Sequence, residues 1–369
     1  MAPQLANALV ISLTKRMNKF RLNRKTEHLS LASQRFRCSF TALYGDIHLP
    51  HNCLTTINPT DTDLSTDICG IIVKTPLYIN AITGGALISE LVNRQLAILA
   101  KKFSLPMAVG SQVASLNNSS LRFTYQVARK YNPQGLLIAN LPATASVKQA
   151  QGAVEMIDAQ ILQLFLNPAQ EFIMAEGDPV EVNLLENVAE ICATVSVPVI
   201  IKEVGFGISA KAATSLAGAG VKAIDVSGWG GTNFAWIEGC RNPSSWWKPF
   251  TAWGLPTPIC VADVVHNGPN IQVLASGGVD DGIRALKCLC LGAVAVGSAG
   301  GILRQLSKGL AQGEKYLEDY LHQVRVGMAL MGKRTLSELA QVPLAVTGRY
   351  KELIEQRGID PQFYSRRGN

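Results

Sequence analysis

The sequence predicts an α/β fold, a (β/α)8 TIM barrel with an N-terminal extension and additional C-terminal helices, and three observations carry that expectation. Eight short apolar runs follow one another, at Pro76–Ala81, Pro106–Gly110, Gly135–Leu141, Ile161–Asn167, Val197–Glu203, Ala223–Ser227, Ile271–Ala275 and Ala293–Val296. Most are separated by stretches of helical periodicity, such as Leu87–Phe103, Leu121–Tyr131, Val182–Thr194 and Ser209–Ala219. Strands that are apolar throughout are buried on both faces, the mark of a parallel sheet wrapped in helices. The third observation is the stretch Ile271–Gly300, IQVLASGGVDDGIRALKCLCLGAVAVGSAG, which reads as strand, glycine turn, helix, strand, glycine turn. Free backbone N–H groups at two consecutive turns form a phosphate cradle, and in an eight-stranded barrel such turns follow strands seven and eight. A doubly wound open sheet is the alternative, but no Gly-x-Gly-x-x-Gly follows the first strand.

The chain is 369 residues long and 47% hydrophobic, enough for one large core. No apolar run reaches the roughly 18 residues of a membrane span; Leu5–Leu13 is the nearest. The net charge of +7 is partly concentrated at the start, where Lys15, Arg16, Lys19, Arg21, Arg24 and Lys25 precede the first acid, Glu27. Residues 1–23 read as a flexible basic tail, with closure over a site or an organelle transit peptide as alternatives; an apolar stretch before the basic one reverses the order of a secretory signal. Residues 24–369 read as a single domain. Nucleic acid is disfavoured as the anionic partner because no nucleic-acid motif accompanies the basic residues. The eight cysteines show no metal-ligand spacing, which points to a reducing, cytoplasmic compartment without disulfides.

Taken in order, the turn-rich segment from Arg24 to about Lys74 belongs to no barrel unit. The eight strand–helix units follow. The connection Gly228–Asn270 is longer than the others and is expected to project over the barrel mouth. After Gly301 the chain reads as helical to about Arg357.

Catalytic mouths of such barrels are built from the C-terminal strand ends. Those ends carry Thr83-Gly84-Gly85, Ser111-Gln112, Asn140, Asn167 with Gln170-Glu171, Lys202-Glu203, Ser227–Asn233, Ser276-Gly277-Gly278 and Gly297-Ser298. Any one of these is a turn residue or a helix cap as readily as a ligand. Lys202 is the most informative, because an ammonium at the end of an apolar strand needs an anion. Either Glu203 supplies it in a salt bridge, or a flavin does, whose reduced ring carries charge. Thr83, Ser111 and Asn140 would then meet the ring's polar rim, and the cradle would hold the phosphate.

RKTEHL (24–29), NAITGG (80–85), GSQ (110–112), LNPAQE (166–171), EGD (176–178), KEVGFGIS (202–209), DVSGWGGTNFAWIE (225–238), WGLPT (253–257) and SGG (276–278) together resemble type 2 isopentenyl diphosphate isomerase. The resemblance runs in order from about Arg24 to Gly358. It implies a barrel enzyme that uses FMN, Mg²⁺ and NADPH as flavin reductant, moves the double bond of a prenyl diphosphate without net redox change, and forms tetramers or larger homo-oligomers. It assigns Thr83, Ser111, Asn140, Lys202, Thr232, Gly277, Gly278, Gly297 and Ser298 to the flavin. Arg24, Lys25 and Asn167 would hold the diphosphate, Gln170 would approach the reacting carbons, Glu171 would bind Mg²⁺, and Glu238 would assist proton movement.

Two departures fall in the substrate half. Phe165 stands where the family has a histidine before Leu-Asn-Pro, and Val113 where an arginine commonly follows Gly-Ser-Gln. Each lost charge-assisted hydrogen bond is worth about 1.5–3 kcal/mol. Asn140-Leu141-Pro142 in place of Asn-Leu-Gly is a smaller change. Drift with replacement donors such as Arg122, a changed substrate such as a longer prenyl diphosphate undergoing cyclisation beside Phe165, and an inactive flavin-binding paralogue are the three explanations. The retention of Gln170, Glu171, Lys202 and Glu238 favours an active enzyme. Hydroxy-acid oxidases and inosine monophosphate-type dehydrogenases are disfavoured, since none of the five histidines follows a barrel strand and the loop after the sixth strand reads GWGGTNF.

Overall fold

The computed structural model describes residues 25, 27–32, 43–177 and 183–368; the expected tail, 1–23, and Arg24 lie outside the described residues. Eight parallel strands close into a barrel: β1 (Leu77–Ile79), β2 (Met107–Ala108), β3 (Leu137–Pro142), β4 (Ile161–Phe165), β5 (Val199–Lys202), β6 (Ala223–Asp225), β7 (Gln272–Ser276) and β8 (Ala295–Ser298), with β8 pairing back onto β1. The helices that follow them are α1 (Leu87–Phe103), α2 (Phe123–Tyr131), α3 (Val147–Ile157), α4 (Leu184–Thr194), α5 (Ala210–Gly218), α6 (Thr257–Asn267), α7 (Gly282–Leu291) and α8 (Leu310–Leu330).

The two-residue period of a strand divides each one between two environments. One set of side chains, including Leu77, Ile79, Leu137, Ala139, Leu162, Leu164, Ile201 and Ile224, packs outward against the helices in the larger core. The alternate set, Tyr78, Ala108, Ile138, Ile161, Ile200, Ala223, Leu274 and Ala295, fills the barrel interior. Interior packing continues downward into Ile68 and Val73. These belong to a hairpin, Thr66–Ile68 with Ile71–Val73, whose turn residues Cys69 and Gly70 have φ of 55° and 85°. The segment before the first strand is therefore the plug of the barrel's lower end. A second short pair, Ile47–His48 with Ala345–Val346, ties that segment to the C-terminal region.

Local signals explain several boundaries. Ser146 and Gln149 form a reciprocal capping box at α3, and the Ser209 and Asp281 side chains accept from N3 at α5 and α7. α2 begins at Phe123 rather than Leu121, because Asn118 caps a separate 3₁₀ turn at Ser119–Leu121. Gly297 and Ser298 lie inside β8 rather than in a turn after it: Gly297 pairs with Tyr78, and a Cβ there would come within 2.5 Å of the Tyr78 ring. The long connection is shorter than its sequence suggested, since its last eleven helical residues are α6 itself. The C-terminal region is not continuously helical: a 3₁₀ turn (Leu336–Gln341) and the Ala345–Val346 strand precede the helix Gly348–Glu355.

Below the barrel, Arg129 at the end of α2 donates to the carbonyls of Asn132, Pro133, Gly135, Ile157 and Asp158 and to the Gln160 side chain. One guanidinium thus joins the loops that lead into β3 and β4. Arg129→Met, which keeps bulk and removes the donors, is expected to cost about 2 kcal/mol or more in urea unfolding while ligand affinity at the opposite end is unchanged.

Candidate active site

Moving two residues up the interior side of six of the eight strands replaces apolar side chains by polar ones: Tyr78 by Asn80, Ile138 by Asn140, Ile161 by Gln163, Ile200 by Lys202, Ala223 by Asp225 and Leu274 by Ser276. All six polar residues are buried. Asp225 is the centre of this layer. Its carboxylate accepts from the Tyr78 and Ser276 hydroxyls (2.5 and 2.7 Å), the Asn80 amide (2.8 Å) and the Ser227 backbone N–H (3.1 Å). Lys202 stands opposite Asp225 in the strand register and donates to the Glu203 carbonyl at 3.1 Å. Burial presses its ammonium below the ordinary lysine range, opposed by the charges of Asp225 and Glu203. The Lys202–Glu203 salt bridge, the alternative to a flavin as the lysine's anion, is not formed. The Glu203 carboxylate instead accepts from the N–H groups of Val204, Gly205 and Phe206, holding the loop after β5.

Above this floor opens a cavity of about 510 Å³. One wall is almost wholly backbone. A Cβ on Gly277 would lie 2.0 Å from the Gly228 carbonyl oxygen, and one on Gly278 2.3 Å from that of Gly230, so the turns after β6 and β7 interlock only as glycine. Both also have positive φ, 96° and 77°. Thr257 donates to the Ser276 and Gly277 carbonyls, and Arg284 to that of Gly278. Thr232, Gly297, Ser298, Gly300 and Arg304 complete this side. Among the described residues, the buried Asn140 Oδ1 and Ser298 Oγ in the lining have no hydrogen-bond partner. Buried polar groups are normally satisfied. Unsatisfied polar atoms in a cavity that also holds the Lys202 ammonium and the glycine turns suit a ligand with a polar ring and a phosphate.

The facing wall is made of side chains. The helix Pro168–Ile173 presents Gln170 and Glu171, and Asn167 donates to both, at 3.2 and 2.8 Å. Gln170 in turn donates to Glu238 Oε1 at 2.7 Å. Glu238 sits on the helix Phe234–Arg241, which is N-capped by Asn233. Its carboxylate also lies 3.0 Å from His28 Nε2 and 2.6 Å from Arg241. Arg241 reaches Glu27 at 2.9 Å and also pairs with Glu176. The helical residues 27–32 are thereby drawn over the mouth, where Lys25 donates to the carbonyls of Gly84 and Ser111 and to the Tyr125 hydroxyl.

Of the residues singled out in the sequence, Lys25, Thr83, Ser111, Asn140, Phe165, Asn167, Gln170, Glu171, Lys202, Thr232, Gly277, Gly278, Gly297 and Ser298 all line the cavity. Glu238 stands just behind Gln170. The Thr83 hydroxyl is already paired with Ser89, 2.8 Å away, and Gln112 is a fastener that locks onto the Asn140 backbone and the Ala153 carbonyl. Arg122, a possible replacement donor, is exposed at the N-cap of α2 and does not line the cavity. Phe165 and Val113 both do. Asp225, His28, Arg241 and Arg304 were not singled out. His28 had been set aside for not following a strand, although it sits in the quoted RKTEHL motif.

Burial alone would raise the Glu238 carboxyl, but the His28, Gln170 and Arg241 side chains together bring it below the ordinary glutamate range. A carboxyl depressed in the folded state stabilises the fold above its unfolded titration range, and that contribution is lost as pH falls through the folded value. Glu238→Gln is therefore expected to flatten the acid limb of a Tm-versus-pH profile, measured between neutral pH and the onset of acid unfolding.

Known proteins share this architecture. A family model described as FMN-dependent dehydrogenase matches residues 126–345. The flavin-binding domain of baker's yeast flavocytochrome b2 superposes with a TM-score of 0.62 at 17% identity, covering 87% of this chain and 83% of that one, and a mandelate oxidase variant with a TM-score of 0.58 at 17% identity over 87% and 93%. These show the fold. Curated relatives are much nearer in sequence. The isopentenyl-diphosphate delta-isomerase of Bacillus pumilus is 41% identical over 95% of this chain and 98% of its own, that of Symbiobacterium thermophilum 41% over 92% and 96%, and that of Listeria welshimeri 39% over 92% and 96%. With an FMN-type barrel and sequence similarity along nearly its whole length, the chain belongs to the type 2 isopentenyl-diphosphate delta-isomerase family.

Proposed function

We propose that the protein converts isopentenyl diphosphate to dimethylallyl diphosphate with reduced FMN. One observation carries this reading: the same cavity joins a glycine-lined, backbone-rich wall and a buried lysine to a wall formed by Asn167, Gln170 and Glu171, with Glu238 directly behind. The unpartnered Asn140 Oδ1 and Ser298 Oγ fit a flavin's polar rim and phosphate end. When bound and reduced, FMN supplies a nitrogen that can give and take a proton.

The protein's own residues do the rest. Lys202 places positive charge in a site largely closed to water, where it acts more strongly than in solvent. Gln170 is oriented from both sides, accepting from Asn167 and donating to Glu238, so its amide is held at the wall facing Lys202. Glu238, kept as a carboxylate by its three partners, fixes Gln170 and links it to His28 and Arg241. Lys25 places one cation at the mouth for a diphosphate. Among the described residues no cluster of three carboxylate, histidine or cysteine groups could hold a metal alone. Glu171 with diphosphate oxygens suits Mg²⁺, which commonly takes one or two carboxylates and keeps its other positions for phosphate and water. NADPH as the flavin reductant, assembly into a homo-oligomer and a cytoplasmic location complete the reading. No helix of the described residues is long and apolar enough to cross a membrane.

A second reading rests on Phe165 and Val113. The Lys202 ammonium lies 6.0 Å from the Phe165 ring centre, and the adjoining lining includes Pro142, Ala143, Met174 and Leu184. An aromatic face in an apolar pocket suits a carbocation, as a longer prenyl diphosphate undergoing cyclisation or isomerisation would require.

Anaerobic incubation with isopentenyl diphosphate, FMN, NADPH and Mg²⁺ should give the dimethylallyl isomer; no product with flavin bound and reduced would refute the first reading. Turnover of C10–C20 prenyl diphosphates under those conditions would establish the second. Gln170→Ala is expected to lower kcat by about a hundredfold with flavin affinity retained. Lys202→Ala should weaken flavin binding, and an unchanged affinity in a fluorescence titration would remove Lys202 from that role.

A further inference from the structure

The phosphate end of the cavity holds one cation that neither the strand ends nor the flavin motifs pointed to. Arg304 belongs to the short helix Gly300–Leu306 and lines the cavity beside Thr232, Ser298 and Gly300. A Cβ on Gly300 would come within 3.0 Å of Arg304 Nη1 and 3.3 Å of Thr232 Oγ1, so the guanidinium and that hydroxyl converge over the same glycine. A Cβ on Gly301 would lie 2.9 Å from both Asp280 Oδ1 and Ser298 Oγ. The Tyr316 hydroxyl is nearer still, at 2.5 Å, so five polar side chains surround a Gly-Gly step. Arg304 spends one nitrogen on Asp280, Nη2 to Oδ2 at 2.6 Å, and its other nitrogens make no hydrogen bond among the described residues. Asp280 is itself held through its carbonyl by the Tyr316 hydroxyl at 2.8 Å. The independent sign of a ligand is Ser298: 2% exposed, in the cavity wall, with its hydroxyl unpartnered.

We infer that Arg304 is the residue that selects the phosphorylated flavin, pairing with the FMN phosphate alongside Thr232 and Ser298, and that Asp280 is its positioning residue. A planar guanidinium presents several donors in a fixed fork. With one edge tied to Asp280, the rest of the fork stays turned toward the turns after β7 and β8. Among the cavity-lining basic side chains, Lys25 and His28 are committed at the mouth and Lys202 at the floor, each with partners there. Arg304 is the lining cation that adjoins Thr232, Ser298 and Gly300. This assignment rests on the flavin reading of the cavity but does not depend on which prenyl diphosphate is turned over.

The test compares FMN with riboflavin, which has the same ring and no phosphate, in fluorescence titrations of the apoprotein. The native protein should bind FMN more tightly than riboflavin. Arg304→Gln should weaken FMN by roughly ten- to a hundredfold, leave riboflavin unchanged, and so collapse the difference. Arg304→Lys, which retains charge without the fork, should fall between, and it provides the reading if the glutamine variant does not fold. FMN affinity unchanged in either folded variant, or FMN and riboflavin weakened alike, would overturn the inference. Failure of the native protein to bind either flavin would remove the flavin reading and this assignment together, whereas tight FMN binding without isomerisation would refute only the proposed reaction.

Discussion

The buried carboxylate of Asp225 is the constraint around which the upper barrel is arranged. A charge with no solvent access survives only when hydrogen bonds replace its water, and here donors arrive from β1, from the residue just beyond it, from β7 and from the backbone just past β6 itself. Meeting that demand fixes the rotamers of Tyr78, Asn80 and Ser276. Its charge also opposes the effect of burial on Lys202, whose register partner it is. The apolar layer beneath, running down to the Ile68 and Val73 plug, offers no competing polar partner. A polar floor on an apolar shaft therefore follows from strand parity combined with closure of the barrel.

The two walls above this floor are built differently, and this bears on which substitutions the site tolerates. The cradle side is a contact between backbones, in which Gly231, Gly277 and Gly278 lie too close to the facing chain for any side chain. Changing the sequence there changes the shape of the wall. On the opposite side, Asn167, Gln170, Glu238, His28 and Arg241 form a chain of side-chain contacts. Phe165 and Val113 line the cavity outside that chain, so exchange of either alters size and polarity without breaking a hydrogen-bonded link. Departures from the family pattern are concentrated where the architecture absorbs them. What the ligand is offered changes; the flavin side does not.

Long-range polar contacts also explain how a segment before the barrel comes to complete it. Arg241 gathers Glu27, Glu176 and Glu238 from three separate parts of the chain, and Lys25 closes on the loops after β1 and β2. Lys25, Glu27 and His28 are adjacent in sequence yet reach opposite sides of the mouth.

The order of eight apolar runs and intervening helical periods, together with glycine turns late in the chain, was sufficient to identify the barrel, because strand burial and backbone approach are local requirements written in single residue types. Lys202, Gln170, Glu171 and the glycine cradle were legible for the same reason: each follows a strand end. Asp225 was not, since one acid inside DVSGWGG has no local mark of being the acceptor for four donors. His28, Arg241 and Arg304 were missed because their roles arise from contacts across the barrel mouth. The salt-bridge alternative for Lys202 and Glu203 fails because the Glu203 carboxylate turns to the backbone N–H groups of Val204, Gly205 and Phe206. Residue type and spacing determined the scaffold and its cradle; barrel closure alone decided which charges meet.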